Sequence, residues 1–546
     1  MVMFIVVLAL FSVAYSNAGT LLVNTTKGSV QGYTVDGCNT FFGVPYAKVD
    51  EANPFGSTEE YPNFTEPFIA NDSSVVCPQV YFNDKGILQC LRLNIYAPLK
   101  ANEENPAPIL VWFHGGGFAF GSGGEYGGKH LVKHDIMVIT VNYRLGPYGF
   151  LCLNESYVPG NQGLKDQIIA LRWIQKNIAP FGGDPNKVTI AGESYGGGAV
   201  DIHMYSKYET LFHQAIIQSG SMYVTEGIFV KPDYDAAMKI ADQLGEPVAC
   251  TEDALKKLAE KNPVEVSTAV RNLTMVLGLC KEEQFSDIQN FITDDPYHIE
   301  DSERVKNMTI MIGYNSQEML YEFVNKPKEF YENLTIGIPN QLRKTFVLEK
   351  EELETLSDIV TNFYLGGKPV GPESQLELSD FLSDFAINYA AEWSVNRFVD
   401  QGAKVYKYLF SYTGASQYKN VSCTGAMHTE ELKYLFDWVW ATPLEGPEQL
   451  LVRDRMTMMW ANFVKFGNPT PNKTQLLPVE WTPVTGSTRP YLDIDVDLQM
   501  KDNVYRHSMA FWDLFWHANL KNHVLLVETD DQTDESVDFK YNDRFH

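Results

Sequence analysis

Positive charge is what this sequence has least of: 43 Lys and Arg stand against 69 Asp and Glu, a formal net charge of −26 at pH 7. A surface that acidic repels phosphate backbones and anionic headgroups, which excludes nucleic acid and anionic membranes as natural partners. Long apolar runs are scarce too. The run VMFIVVLALFSVA at residues 2–14 is too short to span a bilayer with ease, and small residues follow at Ser16 and Ala18. It reads as a cleaved leader over residues 1–18, although no Lys or Arg precedes it. No second such run follows, and the C-terminal residues 528–546 form an acidic tail, so neither a membrane anchor nor a lipid-anchor signal is expected. Repeats and low-complexity tracts are missing, and the 27 prolines are scattered. With 45% apolar and 13% aromatic residues, the chain has ample material for a globular core.

Cysteine is sparse and odd in number. Of the seven (Cys38, Cys77, Cys90, Cys152, Cys250, Cys280 and Cys423), at least one must stay free or pair between chains. Cys77 and Cys90 flank a short loop, and closing it would stabilise the fold by about 3 kcal/mol in the chain-entropy model. No His or Cys spacing suggests a metal, and no Gly-Lys-Ser/Thr phosphate loop is present, so no cofactor is expected. Nine Asn-x-Ser/Thr sequons, at Asn24, Asn63, Asn71, Asn154, Asn272, Asn307, Asn333, Asn420 and Asn472, fit a secreted, glycosylated surface.

What the chain does have is centred on residues 188–199, VTIAGESYGGGA. A β-branched run stops at Gly192 and restarts as a small-residue helix, with Ser194 at the turn. A strand that reverses into a helix this tightly crowds the backbone two positions before and after the turn, where Gly192 and Gly196 stand. This is the Gly-x-Ser-x-Gly elbow that lifts a serine hydroxyl clear of a sheet. The segments around it alternate in kind. APILVWFH at 107–114 and IMVITVNYR at 136–144 are short, β-branched and nearly all apolar, as buried strands are. Residues 163–181 have the length and amphipathic period of a helix, and TIMIGYN predicts another strand before Glu318. Strand, helix, strand, helix means a parallel sheet covered on both faces, with the elbow at a strand's carboxyl end. Short alternating segments from Gly19 to Tyr46 predict antiparallel strands leading into that sheet, and residues 50–89 predict a long surface excursion.

After His114 the chain reads GGGFAFGSGG. Composition alone allows a plain flexible loop. The functional alternative is that the glycines let the N–H groups of Gly116 and Gly117 approach a developing oxyanion, with Tyr195 N–H as a third donor.

HGGGF, VNYRLGPYGFL, NQGLKDQIIALRWIQKNIAPFGGDP, GESYGGGA and AIIQSGS stand in the order and spacing of the type-B carboxylesterase and cholinesterase family, which the chain resembles from about residue 20 to 517. It is most similar there to secreted insect carboxylesterases, including antennal ones. The resemblance implies one α/β-hydrolase domain over residues 19–527, a large unit with a mostly parallel central sheet flanked by helices. It implies an acid at Glu318 in GYNSQEML and a base at His428 in GAMHTEEL, in the chain order serine, acid, histidine. Glu193 and Ser219 would lie beside these three. Three departures stand out: Tyr195 replaces the family's usual alanine, Met319 its usual glycine, and the loop from Cys77 to Cys90 is short and lacks the cholinesterase tryptophan. GESYGG also resembles the serine carboxypeptidase elbow, but the triple-glycine loop and the GLKDQ helix belong to the esterase pattern.

The implied activity is hydrolysis of neutral, mainly apolar carboxylic esters through an acyl-enzyme, with a small-molecule ester as the partner. Two alternatives are a cholinesterase-like adhesion protein without catalysis and a juvenile-hormone-type or choline-directed esterase. The sequence leaves the oligomeric state open.

Overall fold

The computed structural model describes residues 19–80, 84–153, 155–225, 227–334, 336–414 and 425–527. The expected leader, the acidic tail, Tyr81, Phe82, Asn154, Asn420 and Cys423 lie outside the described residues. The strands are β1 (Thr20–Thr25), β2 (Gly28–Val35), β3 (Cys38–Pro45), β4 (Phe68–Ile69), β5 (Arg92–Pro98), β6 (Ala107–Phe113), β7 (Met137–Val141), β8 (Gly183–Glu193), β9 (Gln214–Gln218), β10 (Thr309–Asn315), β11 (Lys404–Phe410), β12 (Pro490–Ile494) and β13 (Gln499–Asp502). They form one sheet in the order β1-β2-β3-β5-β7-β6-β8-β9-β10-β11-β12-β13, with β4 pairing β2. From β7 to β12 neighbours are parallel, and the strands toward both ends pair antiparallel except the short β4, which runs parallel to β2.

The parallel strands read as continuous apolar runs because both faces are buried. Along β6, Ile109, Val111 and Phe113 enter one core while Leu110 and Trp112 enter the core on the other side. The same split recurs in β10, where Ile310 and Ile312 face one way and Met311 the other. The expected helix at 163–181 is a helix Gln162–Asn177 followed by a single turn Ala179–Phe181. Pro180 cannot donate to the helix ladder, and Gly182, at φ 85°, turns the chain into β8.

Two motif segments are held by buried charge. Arg144 grips Asp166 with Nε and Nη2, at 2.8 Å each, and its Nη1 donates to the carbonyls of Pro54 and Gly56. Lys165 pairs with Glu282 at 3.1 Å, and Asn161 donates to the same carboxylate and to Cys280 O. Both pairs are almost wholly out of water, so removing one partner would strand a buried charge.

Cys77 and Cys90 are disulfide-bonded, and Cys152 pairs with Cys280, a bridge the sequence did not specify. Among the described residues Cys38 and Cys250 are free. The sequon asparagines Asn24, Asn63, Asn71, Asn272, Asn307, Asn333 and Asn472 are all exposed. Among the described residues no helix is long and apolar enough to cross a membrane, and no group of acidic, His and Cys side chains could hold a metal ion.

Candidate active site

β8 ends at Glu193, Ser194 follows at φ 57° and ψ −128°, and the helix Tyr195–His203 begins at once. A non-glycine residue with these angles is strained by about 1–3 kcal/mol and persists only where its surroundings enforce it. Here three backbones cross. A Cβ on Gly196 would lie 2.2 Å from Phe113 O, and one on Gly192 would lie 2.3 Å from Gly196 O. Behind the turn, a Cβ on Gly220 would lie 2.1 Å from Ser194 O. The sequence pattern marks the first two glycines; Gly220 could have been found only in the SGS that follows β9. Ser194 N–H donates to Gln218 O at 2.9 Å, so the elbow is also tied to the neighbouring strand.

Glu318 and His428 come from separate chain segments that run side by side. Gln317 N–H donates to Ala426 O and His428 N–H to Glu318 O, at 2.8 and 3.0 Å. Glu318 lies just past the end of β10 and is fully buried, unlike a surface glutamate. Its Oε2 is 2.6 Å from His428 Nδ1. Its Oε1 accepts from Ser219 Oγ and from Asn315 N–H, each at 2.6 Å. Both carboxylate oxygens are therefore fixed, and the imidazole plane with them. Nδ1 carries the proton toward Glu318, which leaves Nε2 as the basic atom. Met319 causes no conflict at its position: its φ is −103°, which needs no glycine, and its N–H donates to Ser383 Oγ.

A second carboxylate faces the other edge of the ring. Glu193 Oε1 lies 3.1 Å from His428 Nε2, close enough for an ion pair but off the axis of a hydrogen bond. Burial alone would lower the His428 pKa, yet Glu193 and Glu318 together outweigh it and raise it above the ordinary histidine value. Glu193 itself is shifted upward, chiefly by burial, with the His428 charge opposing. Beneath this cluster lies a group that sequence reasoning missed. Glu431 accepts from Asn315 Nδ2 at 2.7 Å and Gln218 Nε2 at 3.0 Å, and Trp460 Nε1 donates to Gln218 Oε1. Glu431 sits one turn after His428 in the HTEEL segment, and that proximity was its only signal.

The glycine loop packs directly on the elbow. A Cβ on Gly115 would lie 3.0 Å from Ser194 Cβ, and one on Gly116, at φ 101°, would lie 2.2 Å from Phe120 O. Gly116 O accepts from Ala119 and Phe120 N–H, closing a turn, and Gly117 follows at φ 62°. Tyr195 is the first residue of its helix, so its N–H is one of those a helix cannot satisfy internally. The phenol of Tyr195 meets Phe118 edge-on at 5.0 Å, and its hydroxyl points toward Gly227, where a Cβ would lie 3.7 Å away. A Cβ at Gly227 would clash with Val276 Cγ1, at 2.7 Å, and would only touch the phenol. His114 does not titrate usefully: burial pushes it down to about 4, its Nδ1 bonds Gly115 O, and its ring stacks on Tyr143. Gln79, inside the loop closed by Cys77 and Cys90, holds the far end of the glycine loop, accepting from Gly121 N–H and donating to Gly121 O.

This geometry has relatives. Residues 19–512 match the family described as "Carboxylesterase family". Esterase FE4 of Myzus persicae is 30% identical over 86% of this chain and 88% of its own. A juvenile hormone esterase of Heliothis virescens is 30% identical over 83% and 87%. The crystal structure of juvenile hormone esterase from Manduca sexta, with OTFP covalently attached, superposes with a TM-score of 0.79 at 26% identity, covering 91% of this chain and all of that one.

Proposed function

We propose, from the premise that this chain belongs to the carboxylesterase family, that Ser194, His428 and Glu318 hydrolyse neutral, mainly apolar carboxylic esters through an acyl-enzyme. The observation that carries this is the Glu318 carboxylate, held at both oxygens and bonded to His428 Nδ1. Nε2 takes the Ser194 proton as Oγ bonds to the acyl carbon. The tetrahedral oxyanion is received by the N–H groups of Gly116, Gly117 and Tyr195. Protonated Nε2 then gives its proton to the leaving alcohol oxygen as the ester bond breaks. Water repeats the cycle on the acyl group. While the imidazolium exists, Glu193 and Glu318 flank it, and Ser219 keeps Glu318 from rotating. No step requires a metal or cofactor.

The covalently held ligand of the Manduca sexta relative supports a covalent course. The leader-like residues 1–18, the exposed sequons and the two disulfides support a secreted glycoprotein. The adhesion reading requires the serine, histidine and glutamate to be idle, and the bond between Glu318 and His428 gives that reading no support.

The test is covalent labelling. A radiolabelled organophosphate should modify the wild-type protein once and leave Ser194→Ala unlabelled, and Ser194→Ala should lose ester turnover while keeping its thermal melting profile. Substantial turnover by folded Ser194→Ala would remove the proposed mechanism.

A further inference from the structure

An oxyanion hole works only when its N–H groups already point to where the charge will develop. Gly116 and Gly117 do not fix that direction by themselves. They stand at φ 101° and 62°, and a glycine can leave such angles without steric penalty. A Cβ on Gly117 would meet nothing within 4 Å, so no packing holds that residue from its side. The loop must be held by its neighbours.

Much of the hold comes from β7 and the residues just after it. Tyr143 Oη donates to His114 O at 2.6 Å, Gly146 N–H to Phe118 O at 2.7 Å and Thr140 Oγ1 to Gly123 O at 2.7 Å, while Gly123 N–H donates to Asn142 Oδ1 at 2.8 Å. Gly121 is held from another quarter, by the buried side chain of Gln79. Gln79 Oε1 accepts from Gly121 N–H at 3.0 Å, and Gln79 Nε2 donates to Gly121 O at 3.1 Å. One carboxamide thus pairs with both peptide groups of one residue, as an antiparallel strand would. The second hydrogen of Nε2 goes to Cys77 O at 3.1 Å, which leaves neither amide donor idle.

The arm that carries Gln79 is itself anchored. Its backbone N–H and carbonyl pair with Lys85, the Cys77–Cys90 bridge closes the loop behind it, and Asn142 Nδ2 donates to Val75 O and Cys90 O at the loop's neck. On its other side Gly121 lies against the start of the glycine loop. A Cβ on Gly121 would lie 2.6 Å from His114 Nδ1 and 3.0 Å from Gly115 O, and one on Gly116 would lie 2.2 Å from the carbonyl oxygen of Phe120, the residue before Gly121. A shift at Gly121 therefore reaches Gly116 by direct contact.

We propose that Gln79 is a positioning residue for the oxyanion hole, setting through Gly121 the direction of the Gly116 and Gly117 N–H groups. The role rests on the proposed function, since it needs a tetrahedral intermediate to stabilise. It also requires a carboxamide of this length. A carboxylate would set oxygen against Gly121 O and Cys77 O, and asparagine is one methylene shorter.

Two variants of the full chain test this: Gln79→Met, of similar length without the hydrogen bonds, and Gln79→Glu, of the same shape without the Nε2 donors. Each should lower kcat/KM on an aryl acetate by about tenfold or more, because the loss falls on the transition state. A trifluoromethyl ketone, to which Ser194 Oγ adds reversibly to leave an oxyanion, should lose affinity by the same factor. The matching ether, which forms no oxyanion, should bind as tightly as to wild type. Amide exchange should quicken over residues 115–121 and stay unchanged across β6 to β10, which also shows that the variants are folded. Wild-type kcat/KM and ketone affinity in either folded variant, or an equal loss of affinity for ketone and ether, would overturn the proposal and leave the proposed function standing. A wild-type protein that hydrolyses no ester and forms no ketone adduct would overturn the proposed function and this role with it.

Discussion

At His428 two carboxylates face one imidazole, and the balance between them sets the pH at which Nε2 becomes a base. Glu318 is fixed by two further hydrogen bonds, while Glu193 touches the ring without one. Both favour the charged ring, so the rising limb of kcat/KM should lie above the ordinary histidine value of about 6.5. Glu193→Gln removes one of those charges. The imidazolium then loses support, its pKa falls, and the limb should move to lower pH by about one unit, alongside a reduced kcat. A pH–rate profile on a fast aryl ester checks both, and an unmoved limb would exclude Glu193 from the balance. Tyr195 bears on the same scale. The donor ascribed to it is backbone, so Tyr195→Ala should reorder a panel of esters by kcat/KM and lose far less turnover than the about 3–4 kcal/mol that a missing oxyanion donor costs. A uniform loss of that size would assign the phenol a part in the loop's support. Residue types at motif positions were legible in the sequence: Glu318 and His428, picked from separate segments, are hydrogen-bonded to each other. Glu431 and Gly220 were not, because their importance comes from packing against residues distant in the chain.

Elements were legible in kind more than in extent. The apolar runs at β6, β7 and β10 announce buried strands, but the helix after Asn161 stops at Asn177 because Pro180 interrupts its ladder. Pairing of the cysteines depends on which loops meet in space, so the bridge from Cys152 to Cys280 was invisible. The two bridges should behave differently. Cys77→Ser with Cys90→Ser should cost about 3 kcal/mol of stability, and kcat should fall as well, because that loop carries Gln79 and Gln79 holds Gly121 of the glycine loop. Cys152→Ser with Cys280→Ser opens a loop of 128 residues and should cost more, about 5 kcal/mol, with kcat little changed where the protein stays folded. Denaturant midpoints and kcat on both double variants check the pair. An unaltered kcat in the first would show that Gln79 keeps its grip without the bridge.

For the whole molecule, the charge of −26 concentrates cations near the surface, yet that attraction is screened beyond about 8 Å at physiological salt. It speeds arrival and supplies no cage. Holding a quaternary ammonium takes an aromatic face, tryptophan best, worth about 2 kcal/mol when desolvated, and the stretch between Cys77 and Cys90 contains no tryptophan. Short aliphatic acetates and aryl esters should therefore exceed acetylcholine and butyrylcholine in kcat/KM. A choline ester that outperforms its uncharged isostere in parallel assays would contradict this.

The strand order carries a consequence for biosynthesis. Ser194 and the glycine loop belong to the part of the sheet made first, whereas His428 follows β11, which is seated between β10 and β12. A nascent chain can thus fold Ser194 and its neighbour Glu193 into the elbow before His428 has been made. The serine lacks its histidine base during that interval. Reactivity arrives only when the C-terminal strands dock, so the enzyme is silent for as long as it is incomplete.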